Sequence, residues 1–247
     1  MKKIGAFATL VVMMVVVILF SSLYLVAPSN AFGQRTQKVL MIPREGNSQD
    51  PDLMIKEEVG VIIKVLNEAG YDVHVATASG QPIVGPTQKV ENILKLQNIN
   101  VDDYAGVIMP CMAVGLFPGP AIDPKVVSMV KKALADDKPV AAALGAVNVL
   151  AEAGVLKGKK YSYFRDPLST EARWGITDPR FADAIYIGPG TTQDGNIITC
   201  GVCPYTEKVY GWGLDAFDAE NGPVKLAKAF IAALGSGKER VAAIGSR

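Results

Sequence analysis

The stretch Lys138-Pro-Val-Ala-Ala-Ala-Leu-Gly-Ala-Val-Asn-Val-Leu-Ala-Glu-Ala-Gly-Val-Leu-Lys-Gly-Lys-Lys160 decides the fold. From Pro139 to Leu144 it is apolar without interruption, the pattern of a strand buried on both faces. A helical pattern begins at Gly145 or Ala146 and runs to Ala153. Almost no chain separates the two, so Leu144 falls on the strand-to-helix turn itself.

The same alternation extends in both directions. Val39-Leu40-Met41-Ile42 reads as a buried strand, and a helix is expected from about Asp52 to Ala69, stopped by Gly70. Tyr71 to Ala76 is a second strand, and Val107-Ile108-Met109 a third, ended by Pro110. Asp123 to Asp136 is an amphipathic helix with Pro124 in its first turn. Ile197-Ile198-Thr199 is a later strand, and Val224 to Leu234 the last helix. Lys89 to Leu96 fits a small side strand or hairpin. Strand–helix alternation with continuously apolar strands predicts an α/β domain: an open, mostly parallel sheet with helices on both faces. Ligands in such sheets sit beyond the carboxyl ends of the strands, which directs attention to the loops after Ile42, Met109, Ala143 and Thr199.

The domain is expected over residues 37–235, with Gly235 to Arg247 as a Gly/Ser/charge-rich tail. Ahead of it, Lys2 and Lys3 precede a charge-free apolar run from Ile4 to Ala27. As a helix these 24 residues would span roughly 36 Å, enough for a hydrocarbon core of roughly 30 Å. Residues 1–31 therefore read either as a signal peptide, cut near Ser29-Asn30-Ala31, or as an uncleaved membrane anchor. Both leave the lysines in the cytoplasm and the domain outside it, secreted, periplasmic or membrane-anchored. Net charge is +1 with acids and bases interspersed, which argues against a nucleic-acid partner. The three cysteines permit one disulfide and one free thiol in an oxidising compartment.

These segments resemble the PfpI/ThiJ family, the superfamily of the parkinsonism-associated deglycase, with the class I glutamine amidotransferase-like (flavodoxin-like) fold. The similarity rests on Lys138–Ala143 and Ala153–Lys160, on Leu66-Asn-Glu-Ala-Gly-Tyr-Asp-Val73, on Asp102-Asp-Tyr-Ala-Gly-Val-Ile-Met-Pro110 and on Asp194-Gly-Asn-Ile-Ile-Thr199. It covers roughly residues 37–234 and is weak from Ser162 to Asp183. The resemblance implies a cysteine nucleophile on a strained elbow, an oxyanion-binding Pro-Gly-Gly turn, a His or Glu beside the elbow and a Glu beneath it.

The departures fall on the chemistry. The elbow cysteine corresponds to Leu144, which has no lone pair and no proton to transfer. The Pro-Gly-Gly turn corresponds to Pro110-Cys111-Met112, and the His or Glu position to Asp183–Ile185, where Asp183 is the one titratable candidate. His74, the sole histidine, lies inside a strand and reads as a satisfied sheet-face residue. The glutamate persists as Glu58. A helical wheel places it with Ile55, Ile62, Val65, Leu66 and Ala69, whereas Glu57 falls with Lys56, Lys64 and Asn67 on the opposite face. An acid on an apolar face must be hydrogen-bonded or protonated.

The fold gathers Cys111, Cys200 and Cys203 at the carboxyl edge of the sheet. Cys200-Gly-Val-Cys203 admits a redox pair, three thiols admit a metal, and a structural disulfide or free buried thiols need neither. Catalytic candidates are therefore Glu58, Cys111, Cys200 and Cys203. No cofactor or metal is called for. Three functions follow: a non-catalytic exported domain (a pseudoenzyme) binding a small molecule or protein, possible also as a homo-oligomer; a thiol-dependent hydrolase or glyoxalase-like enzyme with relocated cysteine; or a redox protein at Cys200 and Cys203.

Overall fold

The computed structural model describes residues 36–46, 48–112, 121–168, 177–210 and 222–245. The expected leader at residues 1–31, and Trp174 and Trp212, lie outside them. Among the described residues no helix is long and apolar enough to cross a membrane.

The first strand, β1 (Lys38–Met41), leads to a helix built of three pieces, α-helical Pro51–Met54, a π-helical turn Ile55–Val59 and α-helical Gly60–Glu68, together α1. The Asp50 side chain caps it, accepting from Leu53 N at 3.1 Å, so Asp50 serves as a helix start. Next come β2 (Asp72–Thr77), β3 (Ile83–Val84), β4 (Lys89–Val90), β5 (Leu94–Lys95) and β6 (Val107–Met109). They are followed by α2 (Pro124–Ala135), β7 (Val140–Ala143), a 3-10 turn Leu144–Ala146 and α3 (Val147–Glu152). The chain continues through β8 (Lys160–Tyr161), β9 (Ile185–Tyr186), β10 (Thr191–Asp194) and β11 (Ile197–Cys200) to α4 (Pro204–Tyr210) and α5 (Gly222–Gly245).

Seven strands form one sheet in the order β10-β11-β7-β6-β1-β2-β5, parallel except for β10, which is antiparallel to β11. This is the open α/β sheet the apolar strands predict. The Lys89–Leu96 segment splits: β4 makes a two-stranded hairpin with β3, and β5 joins the edge of the main sheet. Alternate residues of each strand point to opposite faces. Val39, Met41, Ile108, Ala141 and Ile198 pack under Ile62 and Leu66 of α1 and Leu226 and Phe230 of α5. Leu40, Val107, Met109, Val140 and Ala142 pack against Val126 and Val130 of α2 and Leu150 of α3.

Two helices differ from expectation. The last helix does not stop at Leu234 but continues through the anticipated tail to Gly245. Gly235 and Gly237 each cost a helix only about 1 kcal/mol, which its flanking residues outweigh. A further helix, α4, begins at Pro204, directly after Cys203, in a segment for which the sequence reading named only the loop after Thr199. Proline at a first helical position is favourable because its missing N–H would be unpaired there in any case.

The chain goes from β1 outward to β2 and later returns to β6 on the other side of β1. The carboxyl ends of β1 and β6 therefore form the topological switch point, where open α/β sheets leave a crevice. On the adjoining strands Ala143 lies opposite Cys200, and Met109 opposite Ala142, so the residues that follow all three strands converge.

Candidate functional site

The site is organised by Glu58 in the π-helical turn. The Gly60 N–H reaches back five residues to Ile55 O, which inserts one extra residue in the helical path. A Cβ at Gly60 would stand 3.1 Å from that same oxygen, so glycine suits the position. The turn delivers Glu58 to the sheet edge with 0% exposure. Its Oε1 accepts the Cys111 N–H at 3.0 Å and its Oε2 accepts the Met112 N–H at 2.9 Å. Both partners are amides of the loop after β6. Glu57, one residue away, is only half-buried and pairs with Lys56 on the outer side, as the wheel indicates.

Those two bonds hold a loop with a cost of its own. Met112 has φ +54, the left-handed region that a glycine would enter freely. Leu144 has φ +37, a strained left-handed backbone on the strand-to-helix turn, and its side chain is a buried hydrocarbon, 1% exposed. It belongs to the same buried cluster as Met112, Phe164, Cys111 and Cys203.

Gly145 is gripped at both of its backbone polar atoms. Its N–H donates to Cys111 Sγ at 3.4 Å. Its carbonyl accepts from Arg44 Nη1 at 2.8 Å and from Asn148 Nδ2 at 3.1 Å, and Asn148 Nδ2 also donates to the Tyr163 hydroxyl at 3.2 Å. The elbow amide is thus directed at a sulfur contributed by the neighbouring loop.

All three cysteines are free thiols and all are buried. Cys203 lies against Cys111, and burial, with Cys111 and Glu58 alongside, pushes its thiol well above the ordinary range. Its own N–H donates to Thr206 Oγ1 at 3.2 Å. Cys200 turns elsewhere, its thiol directed to Val202 O at 3.5 Å and Gly222 O at 3.9 Å. The structure therefore brings Glu58, Cys111, Cys203 and Leu144 together and aims Cys200 at the start of α5. Asp183 is a surface residue 3.6 Å from Lys157, in the turn before β9. His74 bonds the Tyr104 hydroxyl at 3.2 Å and Asp72 at 3.0 Å, a satisfied sheet residue. Among the described residues no group of three or more His, Cys, Asp or Glu is placed to hold a metal.

Beside this cluster, on the opposite face of the sheet edge, a cleft of about 490 Å³, counting its open mouth, occupies the switch point. Ile42, Leu96, Met109, Val126 and Val149 line it, with Arg44, Glu45 and Asp123 as its charged groups. Arg44 is 9% exposed, and burial lowers its pKa. Sequence reasoning missed Arg44. The available signal was a lone cation two residues beyond the first buried strand, in a loop already marked by topology.

The sequence model of the DJ-1/PfpI family matches residues 51–206, from the start of α1 into α4. The chain belongs to the DJ-1/PfpI family. Among similar proteins are two uncharacterised archaeal ones. One, from Methanocaldococcus jannaschii, is 28% identical over 166 residues, covering 67% of this chain and 75% of the relative. The other, from Archaeoglobus fulgidus, is 33% identical over 138 residues, covering 54% and 74%. The ThiJ/PfpI domain protein of Brachyspira murdochii superposes with a TM-score of 0.55 at 18% identity, over 81% of this chain and 98% of that one. The 24-kDa rapid encystment protein of Francisella tularensis gives a TM-score of 0.56 at 15% identity, over 81% and 99%. At these identities the structures share the fold with this DJ-1/PfpI chain.

Glu58 gives the site a measurable signature. Burial raises its carboxyl from an ordinary 4.5 to about 7, against the opposite pull of the Met112 and Cys111 amides. The folded state thus holds this proton more tightly than the unfolded chain. The associated stability is fully present below pH 4.5 and is lost as pH rises through 7, an amount of about 3 kcal/mol. In Glu58→Gln that dependence should vanish. At pH 5 the protonated carboxyl and the variant's amide both turn a hydrogen toward one of the two backbone N–H donors, so their stabilities in urea unfolding should agree within about 1 kcal/mol. By pH 8 wild type should have fallen relative to the variant by up to about 3 kcal/mol; a difference constant across that range would show that Glu58 does not titrate there.

Proposed function

We propose that this DJ-1/PfpI domain is non-catalytic and binds a small ligand at the carboxyl edge of its sheet, outside the cytoplasm. The observation that carries this reading is the sealed elbow. Leu144 fills the nucleophile position within the core, and the Gly145 N–H that would face a reacting group is occupied by Cys111 Sγ. Nucleophilic catalysis needs a thiolate with access to substrate and a base within reach. Cys111 and Cys203 are 1% and 0% exposed, and the Glu58 oxygens are both directed at backbone amides.

A second reading has one observation in its favour: Cys111 Sγ stands at the elbow amide, beside Glu58, as a relocated nucleophile would. The two readings separate cleanly. The non-catalytic domain leaves methylglyoxal and peptide substrates unconsumed, and its three thiols resist alkylation until the protein is unfolded. Turnover of either substrate that disappears in Cys111→Ser would establish the relocated-thiol enzyme instead.

Export is supported by Lys2 and Lys3 ahead of the charge-free run Ile4–Ala27. In a fractionated native host the protein should be recovered with the membrane or the extracytoplasmic fraction. Recovery with the soluble cytoplasm would contradict export.

A further inference from the structure

Three thiols leave room for one bridge within the chain, and three pairings compete for it. Their surroundings separate the pairings. The neighbours in sequence, Cys200 and Cys203, send their sulfurs apart. The Cys200 S–H is directed to Val202 O at 3.5 Å and Gly222 O at 3.9 Å, acceptors that a bridge would leave without it. Cys203 instead has its thiol hydrogen-bonded to Cys111. The strand register explains the meeting. Met109 ends β6 opposite Ala142, and Cys200 ends β11 opposite Ala143, so β6 and β11 flank β7 on its two sides. Cys111 follows the one and Cys203 the other, next to the turn that follows β7, where Cys111 Sγ meets the Gly145 N–H at 3.4 Å. Backbone contacts fix the Cys203 end as well: its N–H donates to Thr206 Oγ1 at 3.2 Å, and that hydroxyl donates to Cys203 O at 2.9 Å. Both residues belong to one apolar cluster with Leu144 and Met112.

We propose that Cys111 and Cys203 are a disulfide-forming pair, joined while the exported chain folds, and that Cys200 stays a thiol. At 1% and 0% exposure the pair is closed to reagents in the finished fold, so the bond forms before the cluster seals. The oxidant is a disulfide-bearing molecule, with oxidised glutathione as the test reagent. One cysteine thiolate attacks the reagent's S–S bond and expels a first thiol. The second thiolate attacks the mixed disulfide and expels the other. The protein gives up two protons and two electrons, and the reagent takes them to become two thiols. The bridge closes a ring of about 90 residues, which removes more freedom from the unfolded chain than a bridge within Cys200–Cys203 would. It also ties the loop that Glu58 holds, with its left-handed Met112, to the start of α4. The assignment takes its oxidising compartment from the export reading, and the test supplies the oxidant, so a failure of export leaves its outcome readable.

The full-length protein, in detergent, is unfolded in urea with reductant and refolded with reduced and oxidised glutathione. It is then alkylated in urea without reductant and digested for mass spectrometry. The expected product is one peptide pair joined through Cys111 and Cys203, lighter by two hydrogens than the separate peptides, with Cys200 alone alkylated. The bridged protein should melt at least about 5 °C above the same protein reduced. Cys200→Ser should keep the bridge and the shift, whereas Cys111→Ser and Cys203→Ser should lose both. Serine in the core has a cost of its own, so the shift is read within each protein, oxidised against reduced. A Cys200–Cys203 or Cys111–Cys200 bridge, three alkylated thiols after refolding, or a bridged protein that melts no higher than the reduced one would each overturn the assignment. Turnover is measured on the reduced protein and so tests the non-catalytic reading separately.

Discussion

One carboxylate spanning two backbone amides sets the geometry of the whole site. Glu58 carries no room for adjustment: it is fully enclosed, and each of its oxygens has one amide of the Cys111–Met112 turn. The turn needs that restraint because Met112 occupies the left-handed region with a side chain attached. Two charge-assisted bonds to a carboxylate, of about 1.5–3 kcal/mol each, are large enough to offset a backbone strain of about 1–2 kcal/mol and part of the carboxylate's desolvation. The turn in turn places Cys111 Sγ on the Gly145 N–H, and Arg44 and Asn148 hold the carbonyl of the same residue. Both backbone polar atoms of Gly145 are thus held by neighbours.

On the proposed non-catalytic reading, the buried acid has a role that needs no reaction. At the elbow, Leu144 turns inward and joins the core. The polar groups of the site then serve one another: carboxylate to amides, amide to sulfur, guanidinium to carbonyl. The switch-point cleft lies beyond Arg44, on the other face of the sheet edge, and Arg44 borders both regions.

Much of the fold was legible in the sequence. The runs Val39–Ile42, Val107–Met109 and Ile197–Thr199 had to be strands of a covered sheet because they carry no polar alternation, and the sheet contains all three. The burial of Glu58 followed from periodicity alone. Its partners did not: a wheel tells which face is inward, not which amides, 53 and 54 residues away, will meet it. The π-helical turn was invisible because one inserted residue barely disturbs a period of 3.6. The Cys200–Cys203 spacing suggested a pair, yet the strand's alternation and the start of α4 send the two sulfurs in different directions, and Cys203 finds Cys111 instead. Arg44 escaped notice because a single charge after a strand has no pattern, and only the topology reveals that it closes a crevice.

The most direct measurement is a carbon-13 NMR titration of the Glu58 carboxyl, read together with the amide protons of Cys111 and Met112. The pinned turn requires the carboxyl to titrate near pH 7, with both amide resonances moving at the same midpoint. A carboxyl that titrates near its ordinary 4.5, with the two amides indifferent to it, would contradict the central role assigned to Glu58.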